Sequence, residues 1–148
     1  REVFRRDAHC STCHQPNGKG VPGIYPPLEM TDNPWLTGDN DRLIKVVLKG
    51  LWGPMELKGQ SFDPSKGVPP MPGFAPLLSD KEVAAVINYA RNSFGNTADF
   101  ISSGQVAKVR ESTANRQDFY QIEDIMKDHP IKGWEKWKAS ATAYQSFE

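Results

Sequence analysis

Both cysteines of the chain lie in one pentapeptide, Cys10-Ser11-Thr12-Cys13-His14. Two thiols three residues apart at the end of a helical turn suit addition to the two vinyl groups of one haem. The imidazole that follows directly then lies beneath the iron as an axial ligand. The porphyrin edge sets this spacing and leaves no need for another cysteine. Three other chemistries use such a pair. A structural zinc site requires four ligands, and His9, His14 and His129 would complete only an unusual set. A thioredoxin-like redox pair belongs in a βαβ setting, which the hydrophobic pattern lacks. A disulfide between residues 10 and 13 suits an oxidising compartment but gives His14 no role. Haem attachment is the reading that uses all three residues.

A six-coordinate iron requires a second axial ligand, for which Met30, Met55, Met71, Met126, His9 and His129 are the candidates. His9 adjoins Cys10 and is badly placed to reach the opposite face. Met30 follows the proximal loop too closely. Met55 and Met126 read more simply as apolar filling, the latter on the face of a predicted helix. Met71 is held in Pro69-Pro70-Met71-Pro72-Gly73-Phe74. Prolines on both sides restrict φ, so this thioether can be aimed with little entropy left to lose. Local stiffness therefore favours Met71.

These residues must be positioned by a chain of 148 residues with 18 basic and 18 acidic side chains. The balance provides no basic field for nucleic acid, and no window approaches the roughly 20 apolar residues of a membrane span. The opening Arg1, Glu2, Arg5 and Arg6 are unlike a secretory signal, so the chain is expected to be a processed protein or a piece of a longer one. From Gln15 to Pro76 there are eleven prolines and nine glycines, about a third of the stretch. That share usually signals disorder. Yet Ile24, Tyr25, Leu28, Trp35, Leu51, Trp52 and Phe74 lie within it and need a core to close on.

The periodicity predicts four helices and no alternating strand, hence an all-α chain. The first spans about residues 2–14. The second starts at an Asp39 cap, carries Leu43, Ile44, Val47, Leu48 and Leu51 on one face, and ends at Gly50 and Gly53. Ser79 and Glu82 form a capping box for the third, which continues through Val83, Val86, Ile87, Ala90 and Phe94 to Gly95. Residues 97–113 read as an extended arm. A fourth helix over about 115–127 places Phe119, Ile122, Ile125 and Met126 together and stops before Pro130. Trp134, Trp137 and Tyr144 suggest a short packed helix at the end.

The sequence resembles class I c-type cytochromes, especially the cytochrome c domains associated with bacterial quinoprotein, sugar and alcohol dehydrogenases. Residues 10–20, Tyr25-Pro26-Pro27-Leu28, Arg42 through Pro54, Met71-Pro72-Gly73-Phe74 and Leu78 through Asn96 carry the match. The resemblance implies a class I cytochrome c fold, with long loops wrapping one covalent haem c over residues 1–96. Residues 97–148 would form a C-terminal extension of arm, helix and aromatic tail. It also implies thioether bonds at Cys10 and Cys13, His14 as proximal and Met71 as distal iron ligand, and a Pro26 carbonyl accepting from His14. Tyr25, Leu28, Leu48, Trp52 and Phe74 would line the pocket, with Arg42 and Trp52 as candidate donors to a haem propionate. Two features depart from the pattern. Phe4 lies six residues before Cys10, so the first helix is expected to carry an insertion or bend. The tail is absent from minimal members, and reads either as a strap across the haem domain or as a docking element.

The function this implies is one-electron transfer from a dehydrogenase donor to a cytochrome or oxidase acceptor. No catalytic residue, nucleic acid or transmembrane segment is expected. Residues 1–98 carry eleven bases against ten acids, so partner encounter should depend only modestly on salt. Localisation is expected in the periplasm or otherwise outside the cytoplasmic membrane. The alternatives are a ligand sensor or peroxidase-like site with a displaceable distal ligand, and an interaction module in which haem is structural.

Overall fold

The computed structural model of the chain describes residues 1–29, 33–57 and 59–139; Met30 and Tyr144 lie outside them. The helix predicted over residues 2–14 is divided. Val3–Asp7 is a π-helical turn closed by the Ala8 amide donating to the Val3 carbonyl at 2.9 Å. His9, at φ +54°, separates it from α1 (Cys10–His14), which Gln15 ends at φ +66°. A π turn takes up more residues per turn than an α turn. This is the bend expected from the position of Phe4, whose buried ring still meets Tyr89 and Phe94 at 5.3 and 5.5 Å.

Asn33 caps α2 (Pro34–Thr37) by accepting from the Trp35 amide. The predicted Asp39 cap of α3 (Asn40–Lys49) is present, with Oδ1 accepting from the Asp41 and Arg42 amides. Gly50 ends α3 at φ +87°. The face bearing Leu43, Ile44, Val47 and Leu48 enters a core shared with Phe4, Val83 and Ile87, while Val46 points into a second core. Leu51 lies outside the helix.

The chain is mostly helical as expected, with four short strands among the described residues that the all-α reading did not include. β1 (Leu51–Trp52) is followed by a hairpin of β2 (Met55–Leu57) and β3 (Gln60–Phe62). Strands of two or three residues are too short to show an alternation. α4 (Asp80–Arg91) begins with the predicted capping box. It stops before Phe94, which leaves the helix at φ +57° and sets its ring edge-on to Tyr89.

The stretch read as an extended arm contains α5 (Ser103–Ser112), started by a second capping box between Ser102 and Gln105. Its Val106 and Val109 are buried in the first core. Arg110 ties α5 to the start of α4, pairing with Asp80 at 2.7 Å and donating to the Ala75 and Leu78 carbonyls.

The fourth predicted helix is shorter than expected. β4 (Tyr120–Gln121) pairs in parallel with β1, and only then does α6 (Ile122–Asp128) begin. Phe119 is exposed instead of joining a helical face. The Tyr120 amide donates to Gly50 at 3.1 Å, so backbone pairing takes precedence over the helical period. α7 (Trp134–Ala139) stacks Trp134 on Trp137 and sets Trp134 edge-on to Trp35 at 5.8 Å. These rings join a second core with Trp35, Leu57, Phe62, Tyr120, Ile122 and Ile125. Residues 120–137 thus pack as a strap against β1 and Trp35.

One polar tie holds this strap and predicts a pH dependence. Asp39 Oδ2 lies 2.7 Å from Nδ1 of His129, just after α6. Burial opposes the Asp39 charge, but the His129 contact and the Arg42 and Asp41 amides outweigh it and hold the carboxyl below its usual range. A depressed carboxyl contributes fully above its unfolded value, about 3.9, and loses that contribution as pH falls through the folded value. Hydrogen exchange in residues 122–139 is therefore expected to accelerate below about pH 4, before the α3–α4 core opens.

Candidate functional site

The proximal side is built from α1 and the loop behind it. His14 Nδ1 lies 2.8 Å from the Pro26 carbonyl, the contact expected from the resemblance. The loop is drawn against α1 by the Gly20 amide, which donates to the His14 carbonyl at 2.9 Å. Gly20 sits at φ +64°, and a Cβ there would collide with the Tyr25 and Pro26 carbonyl groups. Burial pushes the His14 imidazole down, against the opposing effect of Pro26. The ring is therefore neutral, its Nδ1–H donates to Pro26, and Nε2 keeps a lone pair for a metal.

On the opposite side, Met71 is held by its backbone. Its amide donates to the Leu51 carbonyl at 2.9 Å, and the Leu51 amide returns a bond at 3.0 Å. The following residues run along the end of α3, where the Phe74 and Ala75 amides donate to Val47 and Leu48. Gly73 permits that approach, since a Cβ there would meet the Lys49 and Leu48 backbone within 2.6–2.8 Å. Because β1 also pairs with β4, the Met71 segment, β1 and the tail form a continuous hydrogen-bonded layer.

Between these two sides lies an inner chamber of about 110 Å³, adjoining an outer cleft of about 400 Å³. Cys10, His14, Pro26, Met55, Met71 and Phe74 border both. Cys13, Tyr25 and Trp52 line the outer cleft, and Leu28 lines the inner chamber. Leu48 borders neither; it is buried in the first core beneath α3. His9 lines the outer cleft, whereas Met126 packs into the second core and His129 sits at the Asp39 turn. Both thiols are free, and burial pushes that of Cys10 up to about 11. A thiol raised in this way is unlike the low-pKa nucleophile of a thioredoxin-type pair.

Trp35 is a site residue that periodicity missed. It lines the inner chamber, and its indole Nε1 is buried without a hydrogen-bond partner in the protein. Arg42 lies over its ring at 5.5 Å, also buried and with Nε unpartnered. Trp52, the other candidate propionate donor, is half-exposed and lines the outer cleft. The signal available in sequence was Asn33-Pro34-Trp35, a cap and first-turn proline that aim the indole inward.

An unpaired indole donor, Trp35 Nε1, in an otherwise apolar chamber suits a flat apolar group with an acceptor at its edge, and a porphyrin with propionates fits. The fold and site thus define a haem-binding domain of mostly helical type. The Cytochrome c family model matches residues 1–93. The chain is 41% identical over 91 residues to cytochrome c-552 of Thermus thermophilus, spanning 60% of this chain and 65% of that protein. It is 33% identical over 107 residues to the alcohol dehydrogenase (quinone) cytochrome c subunit of Gluconacetobacter polyoxogenes, covering 71% of this chain and 21% of the subunit. The fructose dehydrogenase cytochrome subunit of Gluconobacter japonicus is 32% identical over 108 residues, again across 21% of its length. The chain therefore spans less than two thirds of each of these relatives. It belongs to the cytochrome c family, whose members carry covalently bound haem c with its iron and transfer electrons.

Proposed function

We propose that the chain relays single electrons from a dehydrogenase to a respiratory acceptor, outside the cytoplasmic membrane. Cys10 and Cys13 would hold the haem by thioether bonds, and His14 and Met71 would ligate its iron. The carrying observation is that an imidazole held by Pro26 and a methionine whose backbone is paired with Leu51 border the same chamber as Cys10. When bound, the haem supplies reversible one-electron cycling of its iron, and methionine–histidine ligation raises the potential.

The chain's own residues do the rest. Pro26 sets the imidazole's tautomer and direction. The Leu51 bridge and the rigid prolines keep the Met71 sulfur in place in both oxidation states. Phe74, Leu28 and Val47 exclude water from the inner wall, which disfavours the extra charge of the oxidised state. Ile24 and Trp52 present an exposed apolar rim to the cleft that Cys13 also lines, where a partner could approach the haem edge and electrons would pass without any bond to substrate. The likeness to dehydrogenase cytochrome subunits supports a dehydrogenase donor.

The rival, a sensor or peroxidase-like site, requires a distal ligand that leaves easily, and the two backbone hydrogen bonds between Met71 and Leu51 work against it. Carbon monoxide added to the ferrous protein separates the two. The electron carrier gives no rapid spectral change, whereas fast binding at neutral pH would establish a displaceable sixth position.

A further inference from the structure

Ile122, which opens α6, lies well beyond the family-matched residues 1–93, yet it lines the outer cleft beside Leu51, Met55 and Met71. Among the described residues bordering the chamber and the cleft, it is the one that the tail supplies. β4 delivers it there. Tyr120 pairs with Leu51 and Gln121 with Trp52, so the next residue falls beside Gly53. At φ +124°, Gly53 lies so close that a Cβ would sit 3.2 Å from Gln121 Oε1 and 3.4 Å from Ile122 Cγ1. On Gly50 a Cβ would collide with both the Met71 carbonyl oxygen and the Phe119 ring. The tail therefore clasps β1 at both ends, and at Gly50 it comes up beside the Met71 backbone.

The Met71 segment has little else to hold it. Pro69, Pro70 and Pro72 carry no amide hydrogen, so among the described residues its backbone attachment over 69–73 is the Met71–Leu51 pair of bonds. Its side-chain attachment is the second core, against which Met71 packs. The tail gives that core Tyr120, Ile122 and Ile125, at 6%, 9% and 0% exposure. Swinging Met71 outward breaks its bonds to Leu51, whose strand β4 braces from the other edge. It also strips the side chain from a core that the tail partly builds.

We propose that Ile122 is a positioning residue of the site: through the second core and β1 it holds the Met71 segment shut over the cleft. The tail thereby sets how often the distal side opens to a small ligand such as imidazole. The first statement concerns the polypeptide alone, and the second rests on the chain holding haem with Met71 as its ligand, as proposed above.

The two statements are bound by one equilibrium. Opening frees the Leu51 and Met71 amides to exchange with water, at a rate set by the open fraction. A ligand that binds the open form alone has an apparent affinity that scales with the same fraction. Amide exchange and imidazole affinity must therefore change by the same factor.

The test is hydrogen exchange at the Leu51 and Met71 amides, with imidazole titration of the ferric holoprotein, in wild type, Ile122→Ala, Ile122→Val and Val106→Ala. Val106 is also a tail residue, at 0% exposure, but it packs in the first core and so reports a general loss of stability. Ile122→Ala is expected to speed exchange at both amides and to tighten imidazole binding, each by about tenfold. Ile122→Val, which keeps the branched contact, should fall between it and wild type, and Val106→Ala should stay near wild type in both. Equal effects from the two alanine variants, or unchanged exchange in Ile122→Ala, overturn the proposal. Faster exchange without tighter imidazole binding overturns its second statement. If Ile122→Ala does not fold, Ile122→Val must still exceed Val106→Ala, and equality overturns the proposal. A wild-type holoprotein without the sulfur-to-iron band of a bound methionine fails the reading of Met71 itself, which the amide exchange tells apart because it is read without the iron.

Discussion

Replacing Cys10 and Cys13 together by alanine is expected to abolish covalent colour and to remove the cooperative thermal transition. The inner chamber is walled by Phe4, Leu36, Leu43, Val46, Val47, Val86 and Ile87, which lie on α2, α3, α4 and the N-terminal turn. Full burial of each such side chain stabilises by about 1.5–3 kcal/mol. A domain's entire margin is only about 5–15 kcal/mol. Opening one face of several of these walls to water is therefore enough to exhaust it. Without its tether the haem binds only as a free ligand, so its stabilisation falls with dilution. Thermal melting by far-ultraviolet circular dichroism checks this, and the single variant Cys10→Ala should fall between wild type and the pair. A double variant that melts as sharply as wild type would show a core that is complete without haem.

Truncation after Gly104 carries the second large effect. It removes Val106 and Val109, at 0% and 5% exposure, together with the Arg110 clamp on α4. The two valines alone account for about 3–6 kcal/mol of burial. It also removes β4 from β1 and Trp134 from Trp35, so the layer behind Met71 loses its outer strand. Denaturant unfolding should show a loss of several kcal/mol, with haem still attached through Cys10 and Cys13. A tail that serves only to dock a partner would leave the unfolding midpoint unchanged and abolish binding instead.

The residues that announced themselves in sequence did so because their signals are local. The pentapeptide at Cys10–His14 states its chemistry within five positions, and Asp39 and the Ser79–Glu82 pair mark helix starts through bonds spanning three residues. α5 was less legible because its buried face rests on Val106 and Val109 amid small and polar residues, although Ser102 and Gln105 form the same kind of cap. β4 was hidden for a different reason. Tyr120 and Gln121 are extended only because β1, some seventy positions earlier, offers unpaired backbone groups. The resemblance assigned Leu48 to the pocket, but its place on α3 puts it in the first core with Ile44 and Ile87. Trp35 escaped notice because its function depends on an indole nitrogen left without a partner, which only the assembled chamber reveals. The loop-rich stretch from Gln15 to Pro76 now has a physical role. Its glycines and prolines allow the Pro26 and Met71 segments to approach α1 and α3 closely.

Met55 borders the chamber as Met71 does, so the distal assignment turns on which sulfur reaches the iron. Far-red absorption of the oxidised holoprotein reads this directly, because a methionine thioether on ferric haem gives a weak sulfur-to-iron charge-transfer band. The band is expected in wild type and in Met55→Ala, and should be absent from Met71→Ala. In Met71→Ala the potential should also fall by a sizeable part of the ~0.8 V that axial ligation spans. Persistence of the band in Met71→Ala, or its absence from the wild-type protein, would contradict Met71 as the ligand that closes the site.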